Sequence, residues 1–227
     1  MRKIFFIIFK LIYSYKFNWY YNNKIHNFGN IGLGGKFHAF CAPYSSKIID
    51  KIAYNGENIR LNSLISTKKY LPYNPNYVLD IGCGAGMSTQ ALKEAFPVSK
   101  ILGIDCSLAM LKNCKKDDII YIKDYAHKTK FMNESFDFIN SMFLLHEVPQ
   151  HGRKQILEEC YRLLKPGGYL NIMDIRLNYK PNKFMLSGEP YLNDYLKFFY
   201  QDIINSNFFI TDKVPSSDKR LELLLQK

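Results

Sequence analysis

The sequence predicts a doubly wound α/β fold, a Rossmann-like sheet of about seven strands with an N-terminal helical extension. Three observations carry this. From Tyr77 onward, short apolar runs alternate with helix-patterned segments, the spacing of parallel strands joined by right-handed crossovers. Three of the runs end in an acid, at Asp80, Asp105 and Asp124. The first is followed by alternate glycines in "LDIGCGAGMS", a loop that lets backbone come very close to a ligand.

In chain order, "MRKIFFIIFKLIYSYKFNWYY" begins basic and apolar, but Lys10 and Lys16 interrupt it and its longest uncharged run is Ile4–Phe9. A spanning helix needs roughly 20 apolar residues. Residues 1–21 therefore read either as a helix packed on the protein or as an interfacial segment touching a membrane surface. "YSSKIIDKIAY" places Ile48, Ile49, Ile52 and Ala53 on one helical face, with Ser45 or Ser46 as its cap. "YLPYNPNY" then breaks the chain with two prolines, so 1–76 is expected to be an extension and 77–227 the main domain.

Within that domain, "YVLDIG", "KILGID", "IIYIKD", "FDFINSMFLL" and "YLNIMDI" are five apolar strands expected to lie parallel. "STQALKEAF", "SLAMLKNCKK" (opening on Ser107) and "RKQILEECYRLL" are the intervening helices. After "EPYLNDYLKFFYQDIINS", a helix, "NFFITDKV" and "KRLELLLQK" should form an antiparallel pair on the sheet edge. In such sheets ligands bind outside the carboxyl ends of the strands.

Composition narrows the class. Apolar residues make up 47% and charged residues 22%, which excludes disorder and collagen-like chains. The net charge is +11, of which residues 1–76 carry +9. That basic third suits nucleic acid, anionic lipid or simply a solvated face. Five cysteines, with no C-x-x-C pair, fit neither a disulfide framework nor a zinc site and point to a reducing, cytoplasmic setting; no metal is expected.

The glycine loop decides between ligands. A dinucleotide fingerprint needs G-x-G-x-x-G, whereas Gly82, Gly84 and Gly86 run G-x-G-x-G with Met87 in the next place. Asp80 would repel a pyrophosphate. Asp105 stands where a carboxylate accepts the hydroxyls of a ribose. The acidic strand ends suit a cationic nucleoside without phosphate, and S-adenosyl-L-methionine (SAM) is one.

At "VLDIGCGAG", "GIDCSLAML", "FDFINSMFLLHEVP" and "YRLLKPGGYL" the chain resembles class I SAM-dependent methyltransferases. The "HEVP" and "LLKPGG" blocks look like the small-molecule branch, the "type 11" enzymes and quinone C-methyltransferases. The resemblance implies that Asp80, Gly82, Cys83 and Gly84 hold the methionine end and that Gly86 allows close helix packing. It implies Asp105 on the ribose, Cys106 and Met110 beside the adenine, and Asp124 and Tyr125 at its edge. Ser141 and Met142 would line the opposite side.

Methyl transfer from a sulfonium needs alignment above all, and a base where the acceptor must lose a proton. His146 in "LLHEVP" is the expected base or a structural hydrogen-bonder, with Glu147 orienting it or starting a helix. The chain lacks the [DN]-P-P-[FY] loop of amino-group DNA methylation and the Pro-Cys of carbon-5 cytosine methylation. "NFGNIGLGGKFHAFCAPYSS" (27–46) and 177–195 are the expected acceptor walls, with His38 and Tyr44 as contacts. The expected acceptor is a small apolar or aromatic molecule. The basic third keeps an RNA or protein substrate open, and a SAM-binding module without activity is the remaining alternative.

Overall fold

A computed structural model describes residues 22, 24–27, 32–115, 117–211 and 220–227; the expectation for residues 1–21 lies outside them. Seven strands form one sheet: β1 (Tyr77–Ile81), β2 (Lys100–Asp105), β3 (Ile120–Lys123), β4 (Phe136–Met142), β5 (Leu164–Asp174), β6 (Phe209–Ile210) and β7 (Leu221–Gln226). Their order is β3-β2-β1-β4-β5-β7-β6. The first five pair parallel, and β7 runs antiparallel to both β5 and β6. The chain winds outward from β1 through β2 to β3, then returns to β4, so the switch point falls between β1 and β4.

The helices are α1 (Gly32–Ala53), α2 (Ile59–Lys68), α3 (Met87–Ala95), α4 (Leu108–Leu111), α5 (Gln150–Leu163), α6 (Lys183–Gly188) and α7 (Leu192–Ile204), with 3-10 turns at Ile25–Asn27 and Leu145–Glu147. Strands buried on both faces split the core. Leu79, Ile81, Ile139, Leu170 and Ile172 pack with α5 and α7 through Ile156, Leu163, Tyr195 and Phe199. Val78, Phe138 and Met173 pack with α2 and α3 through Ile59, Leu64, Leu92 and Phe96. Thus α2, in the expected extension, fills one of the two cores.

Expectations for the N-terminal third need correcting. The helix at 44–54 starts a dozen residues earlier, at Gly32, so neither Ser45 nor Ser46 is its cap. Residues 32–46 of the expected acceptor wall are therefore regular helix. Ile48, Ile49 and Ile52 are exposed rather than core. Ser107 does cap its helix, accepting from the Met110 amide at 3.3 Å, but that helix is one turn long.

A polar ladder crosses the sheet. Asp80 is in register with Asn140, and Asn140 with Asn171. Asn140 Nδ2 donates to Asp80 Oδ1 at 2.7 Å, Asn171 Nδ2 donates to Asn140 Oδ1 at 2.9 Å, and Thr67 on α2 donates to Asn171 at 3.1 Å. Buried polar groups persist when each finds a partner, and here register supplies them. On the other face Arg153, fully buried, donates to Asp202 and Asp194 at 2.9 Å and to the carbonyl of Val148. It ties α5 to α7 and to the turn that follows β4.

Candidate functional site

A cavity of about 780 Å³ opens at the carboxyl ends of the strands. Its floor is the bend after β1. Gly82, Gly84 and Gly86 all have positive φ (71°, 52° and 84°), the region that favours glycine. A Cβ on Gly82 would meet Leu144 at 2.7 Å, and one on Gly86 would meet the Tyr121 hydroxyl at 2.8 Å.

Of the residues singled out in the sequence, Gly82, Cys83, Gly84, Asp105, Cys106, Met110, Asp124, Met142, His146, Glu147 and His38 line this cavity together. Asp105 accepts from the Gly84 amide at 2.9 Å and from the Ser107 amide at 2.7 Å, which fixes the carboxylate against the loop. Burial nevertheless raises its pKa to about 6. Asp124 accepts from the amides of Tyr125 and Lys130.

Five residues fall elsewhere. Asp80 is fully buried behind the loop, where Ser88 and Thr89 donate to Oδ2 at 2.6 Å and Asn140 to Oδ1. Its lone pairs serve the start of α3 and the ladder rather than the cavity, and burial pushes its pKa up. Gly86 caps α3 and faces a neighbouring depression. Ser141 is buried within β4, and Tyr125 lies beside His127. Tyr44, expected at the acceptor, points outward at 65% exposure. On that turn of α1 the cavity side belongs to Ala42, Ser45 and Ser46.

The cavity also holds a charged cluster, of which the sequence had singled out His146, Glu147 and His38. His146 Nδ1 meets Asp174 Oδ1 at 2.5 Å, and Asp174 also accepts from the amides of Leu145 and Ile175. Burial opposes charge on His146, but Asp174, with Glu147 and Glu189 nearby, raises its pKa to about 9. His26, from the 3-10 turn at Ile25–Asn27, sits between Glu147 Oε1 (3.1 Å) and Glu189 Oε1 (3.0 Å). Burial is again outweighed, chiefly by Glu147, and its pKa reaches about 10. His38 stacks on His26 at 4.2 Å, and burial plus that cation lower its pKa to about 4. At neutral pH two imidazoles are thus cationic and one neutral. Asp174 was findable, as a fourth acid ending a strand. His26 and Glu189 carried no local signal.

Among the described residues the cavity wall holds no lysine; its arginines are Arg60, engaged by both oxygens of Asp50 at 3.1 and 2.8 Å, and Arg176. A model described as "Methyltransferase domain" matches residues 78–168. A demethylmenaquinone methyltransferase of Thermotoga maritima is 35% identical over 176 residues, covering 73% of this chain and 72% of that protein. The chain belongs to the class I SAM-dependent methyltransferases.

As a member of that family it is a SAM-dependent transferase, and its Rossmann-like sheet is the family fold. A demethylmenaquinone methyltransferase of Listeria monocytogenes is 33% identical over 147 residues, which is 56% of this chain and 60% of that enzyme's length. Among solved structures, an Aquifex aeolicus SAM-dependent methyltransferase aligns with TM-score 0.61 at 19% identity, over 81% of this chain and 97% of that one. Haemonchus contortus phosphoethanolamine N-methyltransferase 2, in complex with SAM, gives 0.61 at 22% identity, over 80% and 44%. Both show likeness of fold. Among the described residues no helix is long and apolar enough to cross a membrane.

Proposed function

We propose that this methyltransferase transfers the methyl group of SAM to a small aromatic acceptor carrying a ring hydroxyl, of the hydroquinone type. One observation carries the reading. A single cavity has a carboxylate-and-glycine end and a histidine end, joined by apolar wall from Ile25, Ile49, Val148, Ile175 and Met185. The relatives named for demethylmenaquinone fit an acceptor of that character.

SAM supplies a methyl already activated on a sulfonium. The chain's task is to hold and align. The free lone pairs of Asp105 accept the ribose hydroxyls, while the Gly84 and Ser107 amides keep its carboxylate in place. Asp124 faces the adenine edge, with Cys106 and Met110 along the ring. The bare backbone at Gly82 and Gly84 takes the methionine end, and Met142 closes the opposite side. Asp80, Gly86, Ser141 and Tyr125 act from behind, shaping the loop and the strand ends.

At the other end the direction of the pKa shifts assigns roles. His146 is protonated at neutral pH, so it acts as a charged donor from Nε2 to the acceptor oxygen rather than as a base. His38, held neutral, is the imidazole able to accept the hydrogen bond and then the proton that the acceptor's hydroxyl gives up as the methyl leaves the sulfonium and S-adenosylhomocysteine remains. Glu147 is kept ionised by His26 and orients the pair. The Ile25–Asn27 turn and α1 wall the acceptor end, while α2 belongs to the core of the main fold.

The test combines calorimetry with S-adenosylhomocysteine and transfer of a labelled methyl to naphthohydroquinones. Binding with transfer supports the reading. Binding without transfer to any hydroxylated ring removes the acceptor assignment and leaves the cofactor site standing.

A further inference from the structure

Helix α1 has two opposite faces. Gly35, His38, Ala42, Ser46 and Ile49 look into the cavity. On the outer side Leu33, Phe40, Tyr44, Ile48 and Ile52 are 85, 66, 65, 58 and 78% exposed, at helical spacings of four and seven. The rings of Phe40 and Tyr44 lie tilted against each other, centroids 6.2 Å apart, forming a shared aromatic ridge. Exposed among them are Lys36, Lys47 and Lys51. The only acid of the helix, Asp50, turns inward and pairs with Arg60 at 2.8 Å. The outer face is thus an apolar stripe edged by cations with no anion, about 33 Å long at ~1.5 Å per residue. Contiguous apolar exposure of this kind marks a docking surface.

We propose that the outer face of α1 docks on an anionic lipid bilayer, its aromatic and aliphatic side chains entering the interface and its lysines meeting the headgroups. Charge selects this occupant. A second copy of the face would oppose lysine to lysine. Residues 1–21 carry Arg2, Lys3, Lys10 and Lys16 and no acid, so that segment offers no countercharge either. An anionic bilayer supplies both anions and an apolar layer. Because the same helix walls the cavity, docking sets the acceptor end beside the membrane surface. This inference holds whatever the acceptor is.

The test is sedimentation of the full-length chain with phosphatidylcholine vesicles, with and without about one third phosphatidylglycerol. Binding should require the anionic lipid and weaken with salt. The double variant Phe40→Asp/Ile48→Asp should lose on the order of tenfold or more in vesicle affinity, with S-adenosylhomocysteine binding and thermal midpoint unchanged. Lys47→Glu/Lys51→Glu should lose it on the same vesicles without touching an apolar group. Equal vesicle binding by wild type and variants, or none by wild type, overturns the proposal. So does a wild-type dimer that the first variant dissociates, which makes the occupant a second copy. A fall in the first variant's thermal midpoint without lipid also overturns it, because the face is then covered by the chain itself.

Discussion

The two ends of the cavity are built in opposite ways. The glycine end, where we place the cofactor, comes mostly from one stretch of chain, a strand, its bend and the tips of the next two strands within residues 80–124, with Met142 of β4 opposite. The acceptor end gathers His26, His38, Glu147, Asp174 and Glu189, with His26 and Glu147 separated by 121 positions. The first is set by backbone and register, the second by charge balance among side chains from five segments. An end fixed by backbone should respond to substitution through stability and cofactor affinity. An end fixed by charge should respond through turnover and pH.

The sharpest way to break that contrast is Asp80→Ala. It leaves three buried donors unpartnered, at about 1–3 kcal/mol each before relaxation, and should lower the thermal midpoint by about 10 °C. Cofactor affinity measured on the remaining folded protein should change little. A stable Asp80→Ala protein with weakened cofactor binding would move Asp80 from scaffold to contact.

Asp105→Ala comes next. Loss of a charged hydrogen-bond acceptor should weaken S-adenosylhomocysteine by about 1.5–3 kcal/mol, read by calorimetry. The raised pKa gives a sign: as pH falls through about 6 the carboxylate takes a proton and wild-type affinity drops. In Asp105→Asn that dependence should vanish.

At the other end, His146→Gln should cut kcat by about a hundredfold, the lower end of the scale for one positioned hydrogen-bond donor, with cofactor affinity unchanged. Because His146 loses its charge only near pH 9, wild-type turnover should decline above that pH and the variant's should not. A wild-type rate that rises from pH 6 to 8 would instead make His146 a base of ordinary pKa.

The smallest effect belongs to His26→Gln, about 1 kcal/mol for a half-buried ion pair. The folded-state pKa lies above the unfolded 6.5, so the pair's contribution is complete below 6.5 and disappears as pH rises through about 10. Thermal midpoints of wild type and variant should converge across that window.

The same contrast explains what could be read from the sequence. The five parallel strands, the antiparallel edge, Asp105 and the glycine bend follow from local patterns, and comparison with relatives bears out the fold, the family and the cofactor. Asp80 was recognisable as a strand-end acid, but its partners depended on the register that sets Asn140 beside it. Tyr44 was misplaced because 27–46 is rich in glycine and reads as loop. Once that stretch is helix, phase sends the ring outward. Glu189 and His26 meet only after α6 and the first 3-10 turn have folded together. Arg153 sits in an ordinary helix pattern and shows its role only when Asp194 and Asp202 arrive from α7.

Gly82 touches both ends at once, since a methyl there would press on Leu144, which stands two residues before His146. A methyl group passing between donor and acceptor covers a gap of roughly 3–3.5 Å at the start. The missing side chain at position 82 therefore works as a spacer. It lets the turn after β4 lie close to the floor, and under the function proposed above that closeness sets the distance the methyl group must cross.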